Sequence, residues 1–239
     1  MERYALTFPV RPGTEARVRH VLRSYPPPDT AVDGGGRLLA TSVFLWRNHV
    51  VRVIDVDGPL AAVQRHLAAD PAVRATEERL NPLLSSPRNL GDPEEMRDFF
   101  ARSRMTRVVH REPEDPGPGP GPRPSTRVAV RYPVRPGCGE ALARELARVG
   151  ARSSGTGSAP VRTTVFRHDD LVVEVSDVPV GGRDAVVPAD PVLLGADEGM
   201  LATLLEPGWD LSTSSGVERL RAAQTLSAVT HRDTGAVTS

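Results

Sequence analysis

The sequence predicts an α+β protein: a tandem duplication of a ferredoxin-like βαββαβ unit, α+β-barrel-like, with the two sheets facing across a pocket. Three matches within the chain predict it. Residues 3–13 (RYALTFPVRPG) recur as 127–137 (RVAVRYPVRPG), residues 41–56 (TSVFLWRNHVVRVIDV) as 163–178 (TTVFRHDDLVVEVSDV), and residues 105–112 (MTRVVHRE) as 226–233 (LSAVTHRD). They keep one order at offsets of 121 to 124 residues, too long for a solenoid repeat and the length of a domain.

Each element of the first copy has a local signature. Tyr4, Leu6, Phe8 and Val10 alternate with Ala5, Thr7 and Pro9, as a strand requires. Pro12-Gly13 turns the chain and Thr14 is placed to cap a helix, whose apolar face is Val18, Val21, Leu22 and Tyr25. Leu142, Leu146 and Val149 are the matching face in the second copy. Two β-rich runs follow, 38–46 and 50–57, joined by Arg47-Asn48-His49 as a hairpin. Asp57-Gly58-Pro59 opens a second helix packed through Leu60, Val63 and Leu67. Residues 72–80 are assigned to a fourth strand, although their alternation is poor. Asp92-Pro93-Glu94-Glu95 then starts an extra helix with Met96, Phe99 and Phe100 on its apolar face, and 105–110 form one more strand. The second copy repeats this appendage from Ser215, but Pro188 and Pro191 interrupt its second helix at 183–194. The copies have diverged.

The domain reading is therefore copy one at 1–111, a linker at 112–126 (EPEDPGPGPGPRPST), copy two at 127–233 and a tail at 234–239. Alternating Pro and Gly supports neither helix nor sheet, so the linker reads as extended and exposed. RSSGTGSAP (152–160) is a second flexible stretch.

Composition narrows the function classes. The formal net charge is zero, with 17 Arg against 13 acidic groups in 1–111 and 12 against 14 in 127–239. Neither half has the basic field of a nucleic-acid binder. All 30 basic residues are Arg, which excludes Schiff-base and P-loop mechanisms, both of which need Lys. The single Cys138 makes no internal disulfide and no zinc-type cluster. No run approaches the ~20 apolar residues of a membrane span, and no signal sequence is evident. A soluble cytoplasmic protein is expected, paired copy to copy either within one chain or as a homodimer.

A ferredoxin-like sheet has helices on one face, so the other face needs a cover, which the second sheet can supply. Comparing copies suggests the inward set. Val51 and Val53, apolar in both copies as Val173 and Val175, are assigned to the helices together with Leu6 and Phe8. The pocket is then walled by Phe44, Trp46, Phe166, His168, Thr7, Arg131, Arg52 and Glu174. An aromatic wall with a few polar groups suits a flat organic molecule. A one-residue slip inverts this assignment.

ALTFPVRPGTE, RLLATSVFLWRNHVVRVIDVDG, AAVQRHLAADPAV and the ending ERLNPLL…FFARSRMTRVVHR resemble the SchA/CurD-like proteins, closely over residues 3–111 and more loosely in copy two. That resemblance implies a role in actinomycete gene clusters for spore pigments and other aromatic (type II) polyketides, antibiotics among them. Some relatives are regarded as oxygenases of the polycycle. The resemblance carries no residue role over. The fold it implies is shared by quinone-forming monooxygenases and by some polyketide cyclases, an analogy that does not fix function.

The chain has no GxGxxG fingerprint, no haem Cys motif and no compact His/carboxylate triad. A cofactor-free monooxygenase, with molecular oxygen as co-substrate, suits that inventory. A deprotonated polyphenol can itself reduce oxygen, given a base, a cation for the phenolate and a dry wall. His168 is the candidate base, Arg52 or Arg131 the cation, Glu174 a charged neighbour and Trp46 the stacking wall. His110 and His231, a matched pair at strand ends, are candidates for substrate contact or for a structural hydrogen bond. A solvated hairpin for His168 and an Arg52–Glu174 ion pair are the non-functional alternatives. A polyketide cyclase/aromatase, and a protein that binds a polyketide or assembles in a synthase complex without chemistry, remain as rival functions.

Overall fold

A computed structural model describes residues 1–25, 31–32, 36–112, 125–150, 162–179 and 197–233. The expected linker (apart from its ends), the stretch 152–160, the interrupted helix at 183–194 and the tail lie outside the described residues.

In chain order the elements are β1 (Glu2–Pro9), α1 (Glu15–Arg23), β2 (Ala31–Val32), β3 (Gly36–Trp46), β4 (His49–Asp57), α2 (Leu60–Ala69), α3 (Pro71–Leu80), a 3-10 turn (Asn81–Leu83), α4 (Pro93–Ser103), β5 (Thr106–Arg111), β6 (Ser125–Tyr132), α5 (Gly139–Gly150), β7 (Thr163–His168), β8 (Leu171–Pro179), α6 (Glu198–Leu204), α7 (Ser214–Gln224) and β9 (Ser227–Asp233). The fold is α+β with two antiparallel sheets, and neither closes on itself. One runs β1-β4-β3, with β2 and β9 both paired to β3; the other runs β5-β7-β8-β6.

The chain divides into two compact units, residues 1–105 with 227–239, and residues 106–226. The unit boundary cuts across the repeat. β5, the end of the first copy, pairs with β7 of the second, and β9, the end of the second copy, pairs with β3 of the first. Each copy thus gives its last strand to the other copy's sheet. The handover is local and identical in both. Arg104 bridges Leu6, and the Met105 N–H donates to the Ala5 carbonyl at 2.9 Å, before the chain leaves unit 1. Thr225 bridges Val130, and the Leu226 N–H donates to the Ala129 carbonyl at 2.8 Å.

Residues 72–80 are not a strand: they form α3. The Asp70 carboxylate accepts from the Ala72 and Val73 N–H groups at 2.8 and 3.4 Å, and Pro71 holds the first helical position. Those two features satisfy orphan donors and pre-set φ. Val73, Thr76 and Leu80 are the buried face. Asp92 caps α4 in the same way. Thr14, in contrast, donates its hydroxyl to the Arg11 carbonyl at 2.6 Å and does not cap α1. The turns after the first strand of each copy need a residue with positive φ, and Gly13 (83°) and Gly137 (79°) supply it. Arg11 and Arg135 brace those turns through the Leu84 and Leu205 carbonyls at 3.2 and 2.6 Å.

Strand register fixes the faces, because paired residues share a side of the sheet. In unit 1, Leu6 pairs with Arg52, and Arg52 with Val43; Thr7 pairs with Val51, and Val51 with Phe44. Phe8, Val43, Leu45 and Val50 join Val18, Leu22, Leu80 and Phe99 in the core under the helices. Arg52 therefore faces the helices, and Val51 and Val53 face away. That is the reverse of the sequence assignment for this strand. Thr7 and Phe44 lie away from the helices as expected. Unit 2 repeats the pattern: Glu174 shares its side with Val165 and Val130, while Phe166 and Arg131 both pair with Val173 on the other side.

A polar cavity under the helices of unit 1

On the helix side of the unit 1 sheet lies a cavity of ≈ 40 Å³. Its floor is Leu6, Phe8, Thr41, Val43, Val50, Arg52, Thr230 and Arg232. Its roof is Leu22 and Tyr25 at the end of α1, Thr76, Glu77 and Leu80 of α3, Arg88, and Phe99 and Phe100 of α4. Three guanidinium groups and one carboxylate converge in a space walled by aromatic rings.

Their pairing is incomplete. Arg88 donates to Glu77, and its guanidinium carbon lies 3.6 Å from the Phe99 ring centroid. Asn81 fixes the Arg88 backbone from both sides, its Nδ2 donating to the carbonyl at 2.7 Å and its Oδ1 accepting from the N–H at 2.9 Å. Arg52 reaches Glu77 only at 4.0 Å. Arg232 donates to the Tyr25 carbonyl. The guanidinium carbons of Arg52 and Arg232 each lie 5.6 Å from the Tyr25 ring centroid. Among the described residues, the Tyr25 hydroxyl, Thr41 Oγ1, Arg52 Nε, Arg232 Nη1, and Arg88 Nε and Nη1 are buried without a hydrogen bond of normal geometry. Unpartnered buried polar groups are costly and uncommon, and a group of them around one space makes it the candidate ligand site.

Burial and charge shape the acidities here. Desolvation holds the Tyr25 hydroxyl above the ordinary tyrosine value, with Arg52 opposing. Desolvation lowers Arg88, with Glu77 opposing, and lowers Arg232, to which Arg52 adds by repulsion. Burial thus keeps the Tyr25 phenol protonated as a donor.

The equivalent place in unit 2 holds a carboxylate of the chain itself, although among the described residues Arg111 Nε and Nη2 and Arg221 Nε are buried there without a hydrogen bond of normal geometry. The repeat puts Tyr132 where unit 1 has Phe8, Glu174 where it has Arg52, and Arg221 where it has Phe100. Glu174 accepts from the Tyr132 hydroxyl at 2.7 Å, from Ser176 Oγ at 3.1 Å and from Arg221 Nη2 at 3.2 Å. All four members of that knot are buried.

The sequence candidates do not gather at one site. Arg52 lines the unit 1 cavity, and Glu174 is tied to Tyr132 and Arg221 in unit 2. Arg131 donates to Gln224 Oε1 at 3.1 Å and lies 3.9 Å from Glu206. Thr7 donates to the Val50 carbonyl at 3.0 Å. Phe44 and Phe166 are almost fully buried on the sides of their sheets away from the helices. Trp46 and His168 stand at hairpin ends, Trp46 under Arg47 at 4.6 Å and His168 3.5 Å from Asp169. His110 and His231 make matched contacts, Nδ1 to Thr164 Oγ1 and Nδ1 to Ser42 Oγ, each 2.8 Å.

Sequence reasoning missed Tyr25, Glu77, Arg88 and Arg232. Tyr25, Phe99 and Phe100 were legible as helix faces, and Glu77 was hidden by the strand assignment of 72–80. The signal for Arg232 is its place beside His231 in a strand that the copies exchange. Among the described residues no group of three His, Cys, Asp or Glu side chains is placed to hold a metal, and no helix is long and apolar enough to cross a membrane.

Residues 1–112 match the SchA/CurD like domain. Curated relatives include the "42.8 kDa protein in whiE locus" of Streptomyces coelicolor, 48% identical over 184 residues (77% of this chain and 45% of the relative). "Polyketide synthase CurD" of Streptomyces cyaneus is 46% identical over 178 residues (74% and 47%), and "Protein SchA" of Streptomyces halstedii 44% over 176 (73% and 45%). The chain spans about half the length of these relatives. Among solved structures, an anthrone oxidase-like protein aligns over 99% of this chain and 95% of its own, at 11% identity and a TM-score of 0.44. A putative monooxygenase from Fusobacterium nucleatum aligns over 97% and 94%, at 10% identity and a TM-score of 0.43.

Proposed function

On the premise that residues 1–112 belong to the SchA/CurD-like family, we propose that this chain tailors an aromatic polyketide, and that the chemistry is monooxygenation of a polycyclic phenol to a quinone by molecular oxygen without a cofactor. The observation that carries the reading is the set of unpartnered buried donors around the aromatic-walled cavity of unit 1.

Arg52 and Arg232 are placed to stabilise a phenolate, the form of the substrate that gives up electrons to oxygen. Fixed cations in a water-poor site lower the energy of that anion without reorganising. The phenolate reduces O2, and carbon–oxygen bond formation gives a ring hydroperoxide. Loss of water from it leaves a quinone. One oxygen atom stays on carbon, and the other leaves as water with two hydrogens from the substrate, so no external reductant is needed. Tyr25, held protonated, donates a hydrogen bond to the developing oxygen anion. Phe8, Phe99 and Phe100 supply the dry wall. A fused-ring ligand needs several hundred Å³, so its entry requires lining side chains to move.

One observation favours binding without chemistry: the cavity's carboxylate, Glu77, is paired with Arg88, and no histidine among the described residues lines the space. Oxygen uptake on mixing metal-stripped protein with a polycyclic phenol separates the two. Uptake with a product one oxygen heavier and two hydrogens lighter supports the oxygenase. A shifted ligand spectrum with no uptake and unchanged mass supports binding, and a product lighter by water supports a cyclase.

A further inference from the structure

We infer that the chain has one ligand site, not two, and that this site, in unit 1, takes its ligand as an anion: a carboxylate or ionised phenol attached to an aromatic ring. This rests on the reading of the unit 1 cavity as the polyketide site and adds the charge state and the stoichiometry.

The two copies differ in charge at equivalent positions. Both present a polar side chain from equivalent strands, β4 and β8, on the helix side of the sheet. In unit 1 it is Arg52, whose nearest carboxylate, Glu77, is already held by Arg88. Arg232 enters the same space from β9, and Phe8 and Phe100 flank it without any anion. Among the described residues three cations therefore face one carboxylate, an excess of positive charge that an anionic ligand reduces. In unit 2 the same position is Glu174, an anion. Phe100 is replaced by Arg221 and Phe8 by Tyr132, so both new groups bind Glu174 directly. Arg111, the counterpart of Arg232, shares its side of the sheet with that carboxylate. Unit 2 thus carries, as part of its own chain, the negative charge that unit 1 lacks. The protein supplies in one copy what a ligand supplies in the other. Charge-assisted hydrogen bonds from guanidinium groups in a desolvated site are strong enough to discriminate an acid from its neutral amide.

The test is calorimetric titration of the whole protein with 2-naphthoate and, separately, 2-naphthamide, which has nearly the same shape and no charge. The inference predicts one naphthoate per chain and at least tenfold weaker binding of the amide. Arg52→Met and Arg232→Met, each checked for retained fold by circular dichroism, lose that preference. Two equivalents bound, equal affinity for acid and amide, or no binding of either overturns the inference. Since native protein alone gives the acid-to-amide ratio, a variant that fails to fold does not blunt the test. Oxygen uptake with a phenol but no preference for the anion sinks this inference and leaves the proposed reaction standing. Anion binding without oxygen uptake does the reverse.

Discussion

Tyr25 concentrates the conflict inside the unit 1 cavity. Its hydroxyl is buried without a hydrogen bond of normal geometry, and desolvation favours the neutral phenol, while the charge and the contact of Arg52 favour the anion; burial is the larger effect. The sign follows from linkage. With the folded-state value raised, the unfolded chain releases its proton first as pH rises past about 10, so stability is intact below that point and falls above it, until the folded tyrosine also ionises. Chemical denaturation between pH 9 and 11 should show this fall, and Tyr25→Phe should flatten part of it. The same substitution should be close to neutral at pH 7, because it removes a buried hydroxyl without orphaning a partner. A clear loss of stability at pH 7 would mean that the hydroxyl is satisfied. At this scale the sequence was a partial guide. Arg52 was expected in a pocket between the sheets, and the register puts it instead on the helix side of its own sheet. Valines on a strand buried on both faces carry no alternation from which to read a face.

The elements show where local chemistry was sufficient and where it was overlooked. Asp92-Pro93 was read as a helix start, and α4 begins there. Asp70-Pro71 carries the same signature, yet 72–80 was assigned to a strand because a ferredoxin-like unit wanted a fourth one; the fold expectation overrode the cap. Asp70→Ala should cost about 1 kcal/mol of unfolding free energy. At the start of α5 in unit 2 the close contact is backbone on backbone. A Cβ on Gly139 would meet the Asp169 carbonyl oxygen at 2.2 Å, and the Gly137 and Gly139 N–H groups both donate to Asp170, which those bonds hold below the usual carboxylate range. Gly139→Ala should therefore destabilise the protein by roughly 1–3 kcal/mol, measured by urea denaturation. An unchanged midpoint would show that the β7–β8 hairpin yields at little cost.

For the whole molecule, the exchange of β5 and β9 was invisible to the repeat analysis. Sequence periodicity marks which segments are equivalent, and says nothing of which copy's sheet receives them. The duplication itself, and buried arginine–carboxylate pairs such as Arg3–Asp55 (2.7 and 2.9 Å) and Arg127–Asp177 (2.7 Å), follow directly from the matched segments. Removing residues 227–239 should expose the β3 edge of unit 1, some 180 residues away in the chain. Hydrogen exchange in β3 should then quicken while β8 changes less. Equal loss throughout would mean that the two units unfold together.

The claim that organises these observations is that chemistry or recognition resides under the helices of unit 1 and not at the hairpin histidine. The most direct test is the initial rate of oxygen uptake with a polycyclic phenol, compared among the native protein, Arg52→Met and His168→Ala. The account predicts uptake by the native protein, a loss of at least tenfold in Arg52→Met and a near-native rate in His168→Ala. A near-native rate in Arg52→Met with loss in His168→Ala would contradict it.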